Sequence, residues 1–452
     1  MFKFGTSVIK PMPALRNIWE PVPLLPMSSV LYWVLCFFTF AVFAFELPAG
    51  SHIRWALLGM ILISSYVIVS RPTPMRSSMV VWLFLASLIV TVLTWAFMKM
   101  DHPDFRTNKL SLDGIVNQFL FIFPAVVLAG IAKNILLVWL LYVLSVFATL
   151  YLSGIDWSYI VRALDGRRTG LIGSPIGFGV QWATMFVAAL CFSIRAMKPG
   201  PLRILRISIW LFVLVFSAIG TLISQTRSVY LSLAIVALVF LLVFLIFLIH
   251  SNRPIIHKIL IYCVVLFSFG LLAYVSVNST QVERRIQATQ NEIYVVDQFL
   301  SGNRSEIDQT SMGFRFIFWH ESFQRIKERP LFGWGYRASR VFFEESEFRF
   351  GSRYFYTSHN LYIDLTLYYG FAGLSIFIIL FFWLITRGFK AYRHGTMPAD
   401  FALFFLGFAV IYSVNGLFSS MFFTKSTMLV FNIILSGWLS FVFKDMLLKS
   451  KP

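Results

Sequence analysis

Charged residues are scarce in this chain, and their scarcity excludes most soluble folds. Only 13% of its 452 residues are Asp, Glu, Lys or Arg, whereas a soluble domain carries roughly a quarter. Cysteine is scarce too, and all three cysteines, Cys36, Cys191 and Cys263, lie within apolar runs. A disulfide-held extracellular fold is therefore excluded. Hydrophobic residues make up 58% of the chain instead, which indicates a protein whose surface lies mostly in lipid.

Apolar runs long enough to cross a bilayer recur along most of the sequence. A run of about 18 or more apolar residues is typical of a transmembrane helix. We therefore predict an all-α polytopic membrane protein with about twelve transmembrane helices, near residues 27–46, 53–70, 79–98, 114–132, 134–153, 175–194, 204–223, 229–249, 258–277, 361–386, 400–418 and 424–443.

These runs divide the chain into three parts. Residues 1–277 would hold nine spans with short loops, residues 278–360 one large polar loop, and residues 361–452 three spans with a short tail. With a cytoplasmic N-terminus, the inner loops carry twice as many lysines and arginines as the short outer loops. The positive-inside rule therefore predicts cytoplasmic termini and an outward-facing large loop. The net charge of +18 follows from this topology and from anionic lipid, so no nucleic-acid partner is indicated.

Two motifs place arginines where outer loops meet predicted spans. In DGRRTGLIGSPIGFG, residues 165–179, Arg167 and Arg168 precede a glycine-rich turn and a proline that favours a helix start. Free N–H groups there would help these arginines to bind an anion, although an ordinary basic loop has the same composition. Arg227, within QTRS at 225–228, stands between two apolar runs. Such a charge is either functional or reaches the interface along its own side chain.

The end of the large loop has the pattern of an amphipathic helix. Apolar side chains repeat there at spacings of four and three, at Met312, Phe316, Trp319, Phe323 and Ile326. The helix would end at Pro330, and it would lie on the outer membrane surface or cap the bundle. Arg315 falls beside the centre of the apolar face, where it is either a binding residue or a surface charge.

Motifs for nucleotides, metals and a Ser-His-Asp triad are missing from the sequence. GWGY, residues 333–336, lacks the third glycine of a dinucleotide site and instead predicts a turn that approaches another part of the chain closely. DHPDF, residues 101–105, comes nearest to a metal-ligand spacing, but the proline between its acidic residues favours a loop. We therefore predict no metal, no cofactor and no nucleotide.

A histidine and an asparagine stand where the large loop meets the tenth predicted span. In TSHNLYIDL, residues 357–365, Asn360 or Ser358 would cap the free N–H groups of the helix, which explains Asn360 without a functional role. The reference pKa of a histidine side chain is near neutral pH, which suits proton transfer. A lone histidine is also a common structural residue, so both interpretations stay open.

Taken in chain order, these motifs resemble the O-antigen ligase/polymerase family of bacterial polysaccharide membrane glycosyltransferases. Residues 167–175 are similar to its Arg-x-x-Gly…Asn-Pro element, with Ser174 in place of Asn, and residues 225–228 to its Thr/Ser-Arg-Ser element. Residues 315–336 are similar to its Arg-x-x-x-Trp…Pro-x-x-Gly-x-Gly run, and residues 358–374 to its His-Asn…Gly-x-x-Gly run.

The resemblance implies a GT-C-like fold in the bacterial inner membrane and an inverting, metal-independent glycosyl transfer at its periplasmic face. The donor would be a glycan on undecaprenyl pyrophosphate. The acceptor of a ligase would be a sugar hydroxyl of lipid A–core, and membrane lipids would be the other partners. The implied site residues are His359 as general base, Asp364 as a rival base or an orienter of His359, and for substrate binding Arg168, Arg227, Arg315, Arg167, Tyr336 and Asn360.

Three alternatives stay open at this point. An O-antigen polymerase would use a second lipid-linked glycan as the acceptor, and a protein O-glycosyltransferase is a third relation within the family. A lipid-linked glycan flippase or transporter belongs to a different class. It would have charges deep in its spans and short loops on both sides, which this sequence does not have.

Overall fold

The computed structural model describes most of the predicted spans and part of the large loop. The described residues are 28–49, 54–70, 73–105, 109–165, 170–171, 174–250, 311–345, 356–421 and 424–449, together with the single positions 256, 259, 263, 266, 267 and 270. Arg167, Arg168 and the first part of the large loop lie outside these residues, and so does most of the predicted ninth span.

Helices make up the regular structure of the described residues, and no strand occurs among them. They are α1 (Ser29–Ala49), α2 (Arg54–Ser70), α3 (Met79–Asp101), α4 (Ile122–Leu128), α5 (Ala132–Leu152), α6 (Trp157–Asp165), α7 (Pro175–Cys191), α8 (Ser193–Met197), α9 (Arg203–Ser224), α10 (Arg227–His250), α11 (Ser311–Glu328), α12 (Ala338–Glu345), α13 (Leu361–Arg393), α14 (Ala399–Gly416) and α15 (Lys425–Lys449), with one 3-10 helix at Val116–Phe119.

Seven helices in the described part of the chain are long and apolar enough to cross a membrane: α3, α5, α9, α10, α13, α14 and α15. Shorter apolar helical segments lie at Val30–Phe45, Arg54–Ser70, Val116–Leu128 and Pro175–Cys191. The described part of the chain thus has only helices as regular structure, as in a multi-pass membrane protein. The number of twelve spans and the GT-C-like arrangement stay predictions.

The predicted fourth span is not one continuous helix, which corrects the sequence-based expectation. The 3-10 helix gives way to the short α4, which ends at Ala129 with a left-handed backbone (φ 43°). The junction between the 3-10 helix and α4 leaves backbone groups that need partners inside a membrane. The side chain of Asn432 in α15 supplies them, since its Oδ1 accepts from the N–H of Phe121 (2.8 Å) and its Nδ2 donates to the carbonyl of Asn117 (3.1 Å).

Helix α15 lies at the centre of the bundle rather than against lipid. It contacts α4, α7, α13 and α14, and 89% of its most apolar segment is buried. Aromatic rings fill the space around it, such as Phe405 of α14, which stacks on Trp438 at 5.0 Å between ring centroids. The central helix therefore holds the ends of its neighbours in fixed relative positions.

Helix α13 is broken at Gly370, and the GWGY turn fills the break. Gly370 has φ 65° and ψ −169°, so hydrogen bonds along the helix stop there. The N–H groups of Trp334 and Gly335 donate to carbonyls of α13 just before the break, at 2.8 and 2.9 Å. In return, the N–H groups of Phe371 and Ala372 donate to carbonyls of the segment that precedes GWGY, at 2.8 and 3.2 Å.

Glycine is required on both sides of this backbone pairing. A Cβ at Gly333 would lie 2.6 Å from the carbonyl oxygen of Leu367, and a Cβ at Gly370 would clash with the Leu331 carbonyl. Both distances are shorter than real Cβ contacts, so a side chain at either position would force the segments apart. The prediction that GWGY closely approaches another part of the chain is confirmed.

Helix α11 forms over the predicted residues and packs on the bundle. It contacts α12 and α13, and Phe318 packs on Phe343 of α12 at 4.4 Å between ring centroids. Its buried side coincides only partly with the predicted apolar stripe, because Ile326 is buried whereas Phe323 is 50% exposed. Of the two predicted locations, the structure favours the one in which this helix caps the bundle.

Candidate functional site

Several helices begin or end together at one end of the bundle, which we call the loop end. Helices α7, α10, α13 and α15 begin there, and α9 and α14 end there. The hydroxyl of Thr226, just before α10, donates to the carbonyl of Pro175 at the start of α7 (3.2 Å). The hydroxyl of Tyr362, at the start of α13, donates to the carbonyl of Ser413 near the end of α14 (3.0 Å). Residues far apart in the sequence thus share one surface.

The segment before α13 is held by caps at its junction with the helix. The side-chain oxygen of Asn360 accepts from the N–H groups of Tyr362 (3.0 Å) and Ile363 (3.1 Å), so the predicted helix cap is confirmed. The buried hydroxyl of Ser358 donates to the carbonyl of Asn360 (3.1 Å) and accepts from its N–H (3.3 Å). Since the Asn360 side-chain oxygen is engaged in capping, a substrate contact by this residue stays a prediction.

His359 lies between these two anchored residues in a left-handed backbone conformation. Its φ is 57°, in a region that residues other than glycine rarely adopt. Strain of this kind costs on the order of 1–3 kcal/mol and is concentrated at functional sites. The imidazole is half-buried, and its ring centroid lies 6.5 Å from that of Phe318 in α11. His359 is thus held at the edge of the helix that caps the bundle.

Asp364 is fully buried one turn into α13. Its Oδ1 accepts from the N–H of Ser358 (2.9 Å), and its Oδ2 accepts a hydrogen bond from the hydroxyl of Ser420. Among the described residues, neither oxygen contacts a cationic side chain. Sequence reasoning missed Ser420, because it lies 56 positions away in the turn after α14. The only signal was a Ser-Ser pair between two apolar runs.

Arg315 and Trp319 of α11 join two parts of the loop end. Nη2 of Arg315 donates to the carbonyl of Phe418 in the turn after α14 (3.4 Å). Nε1 of Trp319 donates to the carbonyl of Ser358, next to His359 (3.0 Å). One helical turn of α11 therefore brings Arg315 beside the segment that carries His359. Among these residues, only Arg315 is permanently charged.

Arg227 opens α10 at the same end of the bundle. It is exposed, and the residue before it, Thr226, is tied to the start of α7. One turn further on, Ser232 accepts from the side-chain nitrogen of Asn415 near the end of α14 (3.0 Å). The structure therefore brings the start of α10 together with α7 and α14 at the loop end, and a substrate contact by Arg227 stays a prediction.

The start of α7 keeps its cap although serine replaces the family's asparagine. The hydroxyl of Ser174 accepts from the N–H of Gly177 (3.1 Å), and Pro175 occupies the first turn. Serine and asparagine cap helices about equally well. The substitution therefore leaves this helix start intact.

Tyr336 lies beside a different feature, a small and partly open cavity between α3 and α13. The cavity is lined by Trp95, Lys109, Trp334 and Tyr369 among others. His359, Arg315 and Arg227 are not among the residues that line this cavity. A substrate contact by Tyr336 therefore stays a prediction. Tyr336 lies beside α13 away from the start of that helix, where the His359 segment is.

Comparison with known proteins bears on the same part of the chain. Residues 212–378 match the protein family described as O-antigen ligase, a stretch that contains Arg227, Arg315, His359 and Asp364. A ComP-specific O-oligosaccharyltransferase from Acinetobacter baylyi (strain ATCC 33305 / BD413 / ADP1) is 27% identical over 245 residues, which cover 53% of this chain and 38% of that relative. The aligned part thus spans well under half of the relative's length.

Fold and loop end together define a multi-pass membrane protein with arginine, histidine and a buried carboxylate at one end of its bundle. The family match specifies the class further, because residues 212–378 are similar to the O-antigen ligase family.

Proposed function

We propose that this protein is a membrane glycosyltransferase. It transfers a glycan from undecaprenyl pyrophosphate to a sugar hydroxyl of lipid A–core at the periplasmic face of the inner membrane. The observation that carries the proposal is that one turn of α11 reaches two parts of the loop end. Arg315 donates to the carbonyl of Phe418, and Trp319 donates to the carbonyl of Ser358, next to His359. The match of residues 212–378 to the family described as O-antigen ligase supports a lipid-linked donor.

The proposed reaction is a single displacement that inverts the anomeric centre. The acceptor oxygen forms a bond to the anomeric carbon, the bond from that carbon to the pyrophosphate oxygen breaks, and undecaprenyl pyrophosphate leaves. The acceptor proton passes to the imidazole of His359, which acts as general base. His359 is half-buried rather than enclosed, so an acceptor hydroxyl has access to it.

Arg227 and Arg315 stabilise the leaving group in this proposal. Negative charge grows on the pyrophosphate as the bond breaks, and a preorganised cation at that position lowers the barrier. The guanidinium group stays charged and binds phosphate oxygens in pairs. Arg167 and Arg168 are further candidates for the same role. No metal is needed when arginines carry this charge, and chelation therefore leaves the rate unchanged.

A second candidate differs only in the acceptor. The relative from Acinetobacter baylyi is named a ComP-specific O-oligosaccharyltransferase, which favours a hydroxyl acceptor other than lipid A–core. The same arginines and the same base would serve both reactions, because the donor half is identical. An O-antigen polymerase would again change the acceptor alone, to a second lipid-linked glycan.

Reconstitution of the purified protein in liposomes tests the proposal. The liposomes contain glycan-linked undecaprenyl pyrophosphate and lipid A–core, with EDTA and without nucleotide. Glycan on lipid A–core, detected by mass spectrometry, supports the ligase. Extension of the lipid-linked glycan would instead show a polymerase, and transfer only after a protein acceptor is added would show a protein glycosyltransferase. Movement of the donor across the bilayer with no bond broken would overturn the enzyme proposal.

A further inference from the structure

A buried set of hydrogen bonds connects His359 and Arg315, and we call it the 364 tether. It consists of the carboxylate of Asp364, the N–H of Ser358 and the hydroxyl of Ser420. All three residues are at most 5% exposed. The tether joins three segments that are separate in sequence: the end of the large loop, the first turn of α13 and the turn after α14.

We infer that Asp364 and Ser420 are positioning residues, which hold the base His359 and the leaving-group arginine Arg315 at fixed relative positions. Asp364 is not itself the base. This inference rests on the proposed function for its catalytic meaning. The proposal gives Ser420 a role that the sequence did not indicate.

Asp364 is poorly placed to take a proton from a substrate. The residue has no exposed surface, and each of its two oxygens already accepts a hydrogen bond. A general base must come within hydrogen-bond reach of the proton that it removes. The half-buried imidazole of His359 is partly open to a substrate, whereas the Asp364 carboxylate would first have to break its bonds to Ser358 or Ser420.

The same carboxylate fixes the surroundings of both functional side chains. Through Ser358 it anchors the peptide that precedes His359, whose left-handed φ needs support from its neighbours. Through Ser420 it anchors the turn in which Phe418 accepts from Arg315. A shift of about 1 Å between a base and a leaving-group site lowers rates by about 10²-fold. Loss of the tether would therefore act on catalysis without removing a reacting group.

Two substitutions of Asp364 separate positioning from base catalysis. In Asp364→Asn, the amide oxygen still accepts from Ser358 and the amide nitrogen donates to the Ser420 hydroxyl, so the tether survives although position 364 no longer has a group that can act as a base. We expect kcat of this variant to stay within about 10-fold of wild type, while Asp364→Ala loses about 10²-fold. Equal inactivity of the two variants, with both correctly folded, would overturn the inference.

Ser420→Ala and a matched carboxylate control complete the test. Ser420→Ala removes one bond of the tether, and we expect kcat to fall about 10-fold with little change in KM. Full wild-type kcat in this variant would contradict the positioning role. Asp445→Asn is the control, because Asp445 is a similarly buried carboxylate (7% exposed) held by His394 and Thr396 near the far ends of α13 and α15. It reports on the cost to folding alone.

A measurement without turnover keeps the inference separate from the proposed function. Hydrogen exchange followed by mass spectrometry, on full-length protein in nanodiscs, reports on residues 311–328 and 356–364. Asp364→Ala is expected to accelerate exchange in both segments, and Asp364→Asn in neither. If wild type transfers no glycan, the proposed function fails while this result still stands. Unchanged exchange in Asp364→Ala would overturn the tether itself.

Discussion

The residues at the loop end differ from one another in charge, in side-chain shape and in backbone conformation. Sequence reasoning identified the cap at Asn360 correctly, because a helix start needs acceptors for its free N–H groups wherever it lies, and Asn360 supplies one. It left His359 and Asp364 as rivals, since both are titratable and five positions apart. Burial and hydrogen bonding distinguish the two residues in the structure. Neither property can be predicted from the spacing of residues in the sequence.

Arg315 is expected to be irreplaceable by lysine in the proposed reaction. Lysine keeps the charge but loses the paired N–H groups that match two phosphate oxygens. We expect Arg315→Lys to lower kcat by about 10²-fold, the usual effect of losing one preorganised donor, as measured by transfer in liposomes. The matched control is Arg325→Lys in the same helix, where the arginine packs on Phe342 and pairs with Glu328. Equal losses in the two variants would contradict a phosphate role for Arg315.

Substitutions at His359 are expected to separate stability from activity. Both His359→Ala and His359→Gly remove the imidazole, so both should lose about 10²–10⁴-fold in kcat. They differ in backbone preference, because φ 57° suits glycine and disfavours alanine by about 1 kcal/mol. Thermal unfolding should therefore show the glycine variant to be the more stable of the two. A more stable alanine variant would show that this backbone strain is absent.

Individual helices show where local sequence patterns are sufficient and where they are not. The limits of α11 agree with the pattern, which predicted a helix that ends before Pro330. The break between the 3-10 helix and α4 and the break at Gly370 were not predictable, because each is stabilised by a distant partner. The partner is Asn432 for the first and the GWGY turn for the second. An apolar run in the sequence does not indicate which distant side chain or backbone segment will bond to the groups that a helix break leaves without helical hydrogen bonds.

A methyl group at Gly370 is expected to break the pairing between α13 and the GWGY turn. In Gly370→Ala the new Cβ meets the Leu331 carbonyl as well as a left-handed φ of 65°. We expect a loss of about 3 kcal/mol from backbone strain and overpacking together, measured by thermal unfolding in nanodiscs.

Gly395→Ala separates the two causes. Gly395 has a similar φ of 73°, but nothing lies within 4 Å of a Cβ at that position. Only the backbone term remains there, so we expect a loss of about 1 kcal/mol. Similar losses at the two positions would mean that the close approach at Gly370 contributes nothing to stability.

The whole molecule is organised around the loop end, and the distribution of lysine and arginine predicts that this end faces the periplasm. Thiol labelling of intact cells tests this orientation, in a background in which the three native cysteines are replaced. Lys327→Cys in α11 should react with a membrane-impermeant reagent, while Lys449→Cys at the end of α15 should react only after permeabilisation. Both lysines are exposed, so a difference in labelling reports the side of the membrane. The reverse pattern would invert the topology.

The sequence by itself determined the class of protein, since 58% hydrophobic residues in runs of about twenty leave a multi-pass membrane bundle as the physical outcome. It also determined the motifs at the helix starts, because capping and helix periodicity are local properties. Only the tertiary structure decided that α15 is the central helix, that α11 packs on the start of α13, and that Ser420 binds Asp364. These facts depend on contacts between residues far apart in the chain. Hydrophobicity, which lipid-facing and buried helices share, cannot distinguish among such contacts.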